Sequence, residues 1–209
     1  MLVTFFRNLL SKLCLPLRHL VLDAAHPLPE HVNVDLGEES SIARAIVGSV
    51  ILSLDPETRS RIFIVDSETV QPRCWVGDHD GTRTVTGCFC IVRYLGRLSR
   101  QYPVCPENAL YLDESLDQLR NFVVRANELA LTDDLTFDSY VRSSLTILDS
   151  RMMDGEYLEN FDKQSLADTC WRSALKWILR DKLWILEDAY DEFPNVCDWY
   201  ERIKASSSV

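Results

Sequence analysis

The stretch Gln164-Ser-Leu-Ala-Asp-Thr-Cys-Trp-Arg-Ser-Ala-Leu-Lys-Trp-Ile-Leu179 specifies where one helix starts and which of its sides are buried. Ser165 and Asp168 have the spacing of a capping box. The Ser165 hydroxyl accepts from the Asp168 amide and the Asp168 carboxylate accepts from the Ser165 amide, so two donors beyond the reach of any helical carbonyl are satisfied. Beyond the cap, Ala167, Cys170, Trp171, Ala174 and Ile178 make one apolar face, which Leu175 and Leu179 widen. Thr169, Arg172, Ser173, Lys176 and Arg180 are left a narrow polar stripe. A helix covered on most sides is the central post of a helical domain. The cap already accounts for Ser165 and Asp168, so their expected role is structural, with a loss of about 0.5–2 kcal/mol on removal.

Outward from this post the chain is helical on both sides. Lys182 to Ala189 is expected to form a separate helical turn, and Pro194 opens a last helix burying Val196, Trp199, Tyr200 and Ile203 at spacings of three and four. The tail Ala205-Ser-Ser-Ser-Val209 is expected to fray. Upstream, Thr136 starts a helix that gathers Phe137, Val141, Leu145, Leu148 and Met152 and ends at Asp154-Gly155. Tyr157-Leu158 then tucks under the loop that leads to Ser165. A longer helix over Leu112 to Ala130 aligns Leu112, Leu116, Leu119, Val123, Ala126 and Ala130. Tyr102-Pro-Val-Cys-Pro106 is a rigid connector and the natural domain boundary.

Before that connector, strands alternate with helices. Leu2-Val-Thr-Phe-Phe6 fits a short strand and Asn8 to Leu22 a helix interrupted near Pro16, while Ala25 to Glu30 is a turn. Val32-Asn-Val-Asp-Leu36 alternates as a half-buried strand does. The segment after Ser40 and Ser41 fits helix over Ile42 to Val47 but is so rich in branched residues to Leu54 that strand stays open. Asp55 to Ser60 is a polar break before the strand Arg61-Ile-Phe-Ile-Val65. Val70 to Val76 and Thr82 to Thr86 flank Gly77-Asp-His-Asp-Gly81 as a hairpin, with Pro72 near the start of its first strand. Cys88, Ile91, Val92, Leu95 and Leu98 then recur at helical spacing.

The 209 residues carry 46% hydrophobic and 26% charged side chains with a formal net charge of -10, which suits a folded domain and argues against a nucleic-acid surface. Seven cysteines without a C-x-x-C pair, and histidines without a metal-ligand set, imply reduced structural thiols, no metal and a cytosolic setting. Arg7, Lys12, Arg18 and Pro16 interrupt the apolar N-terminal run, so neither a membrane span nor an export signal is expected.

A mixed domain ending in strand, hairpin and helix, followed by a helical domain with Ser165-Leu-Ala-Asp168 on its central helix, resembles the glutathione transferase fold. Cys90-Ile-Val-Arg-Tyr-Leu95 matches the family's helix after the hairpin, and Phe193-Pro-Asn-Val196 with Trp199 matches the approach to its late helix. The resemblance is good from about residue 61 to 204. It implies α/β plus all-α architecture: a thioredoxin-like domain over 1–100, divergent before about 61, an all-helical domain over 107–204 and the tail 205–209. It also implies that Pro72 is the family's cis proline, beside which glutathione's backbone pairs.

The departures bear on function. Where the family carries an acid or glutamine and then a serine to hold the charged end of glutathione, this chain has Gly87 and Cys88. Phe6 to Leu10 offers no catalytic tyrosine, serine or cysteine, while Cys14-Leu-Pro-Leu-Arg18 resembles, with an insertion, the active stretch of cysteine-type members. The expectation is therefore a non-catalytic interaction module without a cofactor. It resembles the transferase-like modules of the multi-aminoacyl-tRNA synthetase complex, namely its scaffold proteins and the appended domain of glutamyl-prolyl-tRNA synthetase, through Val85-Thr-Gly87, Arg93-Tyr-Leu-Gly-Arg97 and Ala174-Leu-Lys176. That resemblance implies protein partners bound as a homodimer or heterodimer, no direct nucleic-acid or membrane contact, and Arg93, Arg97 and Asp198 as interface residues, the two arginines on the exposed side of their helix. The alternatives are a glutathione-dependent thiol transferase using Cys14, and a structural or regulatory transferase-like protein outside translation.

Overall fold

The computed structural model describes residues 31–36, 42–65, 72–76, 84–130, 134–152, 157–158, 163–179 and 190–206. In chain order these form β1 (Val32–Asp35), α1 (Ile42–Ser53), α2 (Pro56–Ser60), β2 (Ile62–Val65), β3 (Arg73–Val76), β4 (Thr84–Thr86), α3 (Cys88–Leu98), α4 (Pro106–Ala130), α5 (Asp134–Arg151), α6 (Leu166–Ile178) and α7 (Pro194–Ser206). The sheet runs β2-β1-β3-β4, with β1 parallel to β2 and the other pairs antiparallel. A parallel pair needs a crossover, and α1 supplies it. A β-α-β unit and a β-hairpin followed by a helix are thus complete within residues 32–98. This is the thioredoxin-like arrangement, and among the described residues its first strand starts at Val32. The strand expected at Leu2–Phe6, the helix at Asn8–Leu22, and Cys14 lie outside the described residues.

The segment that sequence left open is a helix. Its branched residues Ile46, Val47, Val50 and Ile51 fall on one side and are buried. They pack against α3 and α6, and burial there outweighs their strand preference. The break expected over Asp55 to Ser60 contains α2: Asp55 caps it by accepting from the Thr58 amide at 2.9 Å, and Pro56 stands where a missing N–H is harmless.

The helical part is arranged around α6, which packs on α1, α4 and α7. Its Ala167, Cys170, Trp171, Ala174 and Leu175 are buried as expected, while Ile178 is only half-buried. Helix α4 starts six residues earlier than expected, at Pro106 against Leu112, and it buries Leu129 where Ala130 was expected. The larger side chain takes the inward position. Phe137, Val141, Leu145, Leu148 and Met152 line the buried side of α5, which ends at Arg151, before Asp154-Gly155. Helix α7 buries Val196, Trp199 and Ile203 as expected, leaves Tyr200 only half-buried, and takes up Ala205 and Ser206 from the tail expected to fray. The turn expected at Lys182–Ala189 lies outside the described residues. Among the described residues no helix is long and apolar enough to cross a membrane, no cluster of metal-ligating side chains forms, and Cys74, Cys88, Cys90, Cys105, Cys170 and Cys197 are free thiols.

Candidate functional site

Open α/β sheets bind ligands at the carboxyl ends of their parallel strands. In this sheet that end is reached by three elements: the last residue of β1, the start of β3 and the N-terminus of α3. Asp35 closes β1 and is fully buried. Across the antiparallel register it faces Arg73, whose guanidinium reaches its carboxylate at 3.3 Å. The Nε of Arg73 is buried without a hydrogen-bond partner among the described residues. Sequence reasoning missed this pair, because alternation alone marks Asp35 as an outward polar position. Only the register brings Arg73 opposite it.

Pro72 and Gly87 meet beside that pair. The Gly87 amide donates to the Pro72 carbonyl at 3.1 Å, and Gly87 sits at φ 90°, a conformation that side-chain-bearing residues disfavour. The peptide bond preceding Pro72 involves residue 71, so the cis bond expected there lies outside the described residues. Gly87 begins α3 without a side-chain cap. Among the described residues the first amides of α3 have no side-chain acceptor, and they carry the positive end of the helix dipole. Cys88 adds nothing there. Its sulfur lies 3.8 Å from the Ala43 carbonyl, and burial, reinforced by Cys90, pushes the thiol up to about 12. A thiol so placed is held in its protonated form and donates to the Ala43 carbonyl.

The family resemblance places a catalytic side chain after the first strand. Phe6–Leu10, where sequence put that position, lies outside the described residues.

The expected interface residues divide. Arg93 is not on an open face: its Nε donates to Asp113 at 2.5 Å and one of its terminal nitrogens to Asp117 at 2.8 Å, both on α4. Burial works against the Arg93 charge, but the two carboxylates prevail and raise its pKa. Tyr102 also donates to Asp113. Burial works against the Asp113 charge as well, yet the bonds from Tyr102 and Arg93 bring its pKa below the usual value. Arg93 therefore clasps α3 to α4 across the expected domain boundary. An intrachain acid pair could not be read from helix periodicity, which placed Arg93 outward. Arg97 is exposed, its guanidinium 4.6 Å over the Tyr102 ring. Asp198 is exposed on α7 and accepts from the Tyr190 hydroxyl at 3.1 Å.

Ser165 and Asp168 are where the sequence placed them. The Ser165 amide donates to Asp168 at 2.6 Å and the Asp168 amide donates to Ser165 Oγ at 3.3 Å. Asp168 also accepts from the Leu158 amide at 2.9 Å, from Trp199 Nε1 at 2.6 Å and from the Ser165 hydroxyl at 2.6 Å. Burial pushes its carboxyl up, and these donors oppose that shift. With so many protein donors on one buried carboxylate, the site is a structural joint between α6, α7 and the turn at Leu158.

No protein-family model matches the sequence, and no curated protein matches it. The fold does have solved relatives in shape. A glutathione transferase family member from Pseudomonas fluorescens, solved with two glutathione molecules bound, is 12% identical with a TM-score of 0.64 over 87% of this chain and 91% of its own. FzlA from C. crescentus is 13% identical with a TM-score of 0.63, covering 83% of this chain and 88% of its own. A monomeric glutathione S-transferase from the hookworm Necator americanus is 14% identical with a TM-score of 0.62, over 84% and 92%. At this identity the likeness establishes a glutathione transferase-like fold, a thioredoxin-like half followed by a helical half.

Proposed function

We propose that this chain is a non-catalytic binding module built on the glutathione transferase-like fold. The observation that carries the proposal is the start of α3. Gly87 has no side chain, and the Cys88 sulfur faces the Ala43 carbonyl with its pKa at about 12, so neither residue offers the carboxylate or hydroxyl that would hold a charged glutathione end. The partner class implied by the sequence resemblance is a transferase-like domain of an aminoacyl-tRNA synthetase or its scaffold. Asp198 on α7 is an exposed anionic contact suited to an arginine. Co-purification of the intact chain and of Asp198→Arg, with stoichiometric partners identified by mass spectrometry, tests the proposal. Synthetases or their scaffolds retained by the native chain and lost by the variant are the expected outcome. Recovery of neither removes the translation assignment.

A glutathione-dependent transferase is the second function that an observation favours. That reading takes Cys14 as its nucleophile, and among the described residues the α3 amides have no side-chain cap. Titration calorimetry with glutathione separates the two. Heat of glutathione binding by the native chain supports the transferase, and its absence supports the binding module.

A further inference from the structure

Helices α4 and α5 leave a concavity of about 410 Å³ where the first ends and the second begins. From α4 it is lined by Arg125 and Leu129, and from α5 by Leu135, Thr136, Ser139, Tyr140 and Ser143. Every lining residue belongs to the helical half, so the site is separate from the start of α3 at Gly87. Its size falls in the range of small-molecule sites. On α5, Thr136, Ser139, Tyr140 and Ser143 recur at the spacing of three and four that aligns side chains on one helix face. That spacing ordinarily gathers apolar residues against a neighbouring helix, and here it gathers hydroxyls. Elsewhere on α5 the hydroxyls are consumed by the backbone: Ser144 donates to the Tyr140 carbonyl at 2.9 Å, Thr146 to Arg142 at 3.0 Å and Ser150 to Ile147 at 2.7 Å. Among the described residues the hydroxyls of Ser139, Tyr140 and Ser143 have no such partner. Buried Phe122 stacks on the Tyr140 ring with centroids 6.0 Å apart, which fixes the ring from the core side.

We propose that this concavity binds a small organic oxyanion, a phosphate monoester or carboxylate that carries an apolar body. The charge of the lining points to the oxyanion. In a chain of formal net charge -10, the residues around the concavity include one cation and no acid. Arg125 pairs with Glu128 at 2.9 Å, but the two side chains are 55% and 56% exposed, and so open a surface pair holds its guanidinium weakly. A guanidinium can only donate and the three hydroxyls can all donate, so together they suit a group that only accepts. The apolar body follows from the rest of the lining. Leu129 and the 80% exposed Leu135 form an apolar wall beside the Tyr140 ring, which inorganic phosphate alone would leave uncovered. The site uses neither Gly87 nor Asp198, so it stands or falls apart from the partner class proposed above.

Titration of the full chain, followed by the NMR shifts of its backbone amides, tests the site with phenyl phosphate and benzoate as probes. The tighter probe is expected to bind with a Kd on the order of 100 μM and to shift amides between Arg125 and Ser143. Which probe that is assigns the oxyanion as phosphate or carboxylate. Benzyl alcohol, which lacks the charge, and inorganic phosphate, which lacks the body, should each bind about tenfold more weakly or worse. Arg125→Ala is expected to weaken the tighter probe about tenfold or more, and Glu128→Gln to strengthen it severalfold by releasing the guanidinium. Both side chains are exposed, so neither change should alter the thermal melt. No shift with either probe at about 10 mM overturns the proposal. Shifts centred outside α4 and α5 overturn it in favour of another site, and binding indifferent to Arg125→Ala overturns the role of the cation. Benzyl alcohol binding as tightly as the anionic probes overturns the ligand class.

Discussion

Helices α6 and α3 begin in opposite ways. At α6 the chain satisfies its own first turn: Ser165 and Asp168 exchange amide bonds, and the same carboxylate takes Leu158 and Trp199. At α3 the start is Gly87, without a side-chain acceptor and held at φ 90°. The first arrangement consumes every oxygen of a buried acid within the protein. The second leaves the first donors of α3, where β1, β3 and α3 meet, without a side-chain acceptor among the described residues. A polar group whose partners all come from the protein serves stability, whereas helix-terminal donors left open are what a ligand or partner can use.

The largest test of this contrast is Asp168→Ala, which strands the Leu158 amide and Trp199 Nε1 in the core. It is expected to lower the unfolding free energy by about 3 kcal/mol or more in urea melts, well above an exposed cap. A loss under about 1 kcal/mol would make α6 an ordinary surface cap and erase the contrast. Next is Gly96→Ala, where the added Cβ would lie 2.6 Å from Leu166 Cδ2, at the contact between α3 and the first turn of α6. Leu166 is buried, so a loss of about 1–3 kcal/mol is expected by the same assay.

Gly87→Ala is expected to lose about 1 kcal/mol through backbone conformation alone, because nothing lies within 4 Å of the added Cβ. Ser165→Ala, at a similar magnitude of about 1 kcal/mol, acts instead through a lost hydrogen bond. The two separate when compared with the glycine variants: Ser165→Gly recovers most of its loss if backbone freedom substitutes for the cap.

The smallest effect is the pH dependence of the clasp at Asp113. Its folded pKa lies below the ordinary 3.8, so its contribution is present above that value and lost as pH falls through the lower folded value. Native and Asp113→Asn proteins should therefore differ in stability at neutral pH and converge in strong acid. Parallel stability curves down to that range would show that Asp113 acts without its charge.

Much of the helical half was legible because local signals and burial agree there. The capping box, the 3.6-residue periodicity of α5 and α6, and the inward set of α7 follow from side-chain spacing along one element. The sheet half was less legible. Ile42 to Leu54 carries strand-forming residues in a helix, and the polar break after it conceals the capped turn α2. Arg93 has the spacing of an outward residue, yet Asp113 and Asp117 turn it into an internal clasp.

By itself the sequence determined that the chain is a mixed α/β half followed by a helical half, where α6 starts, and that Gly87 and Cys88 depart from a glutathione site. Those properties are local, set by residue type and short spacing. Only the tertiary structure decided that β1 at Val32–Asp35 sits between β2 and β3, that Asp35 is buried against Arg73, and that Arg93 clasps α3 to α4. Each depends on strand register or helix packing between residues far apart in the chain, and no short-range pattern encodes those contacts.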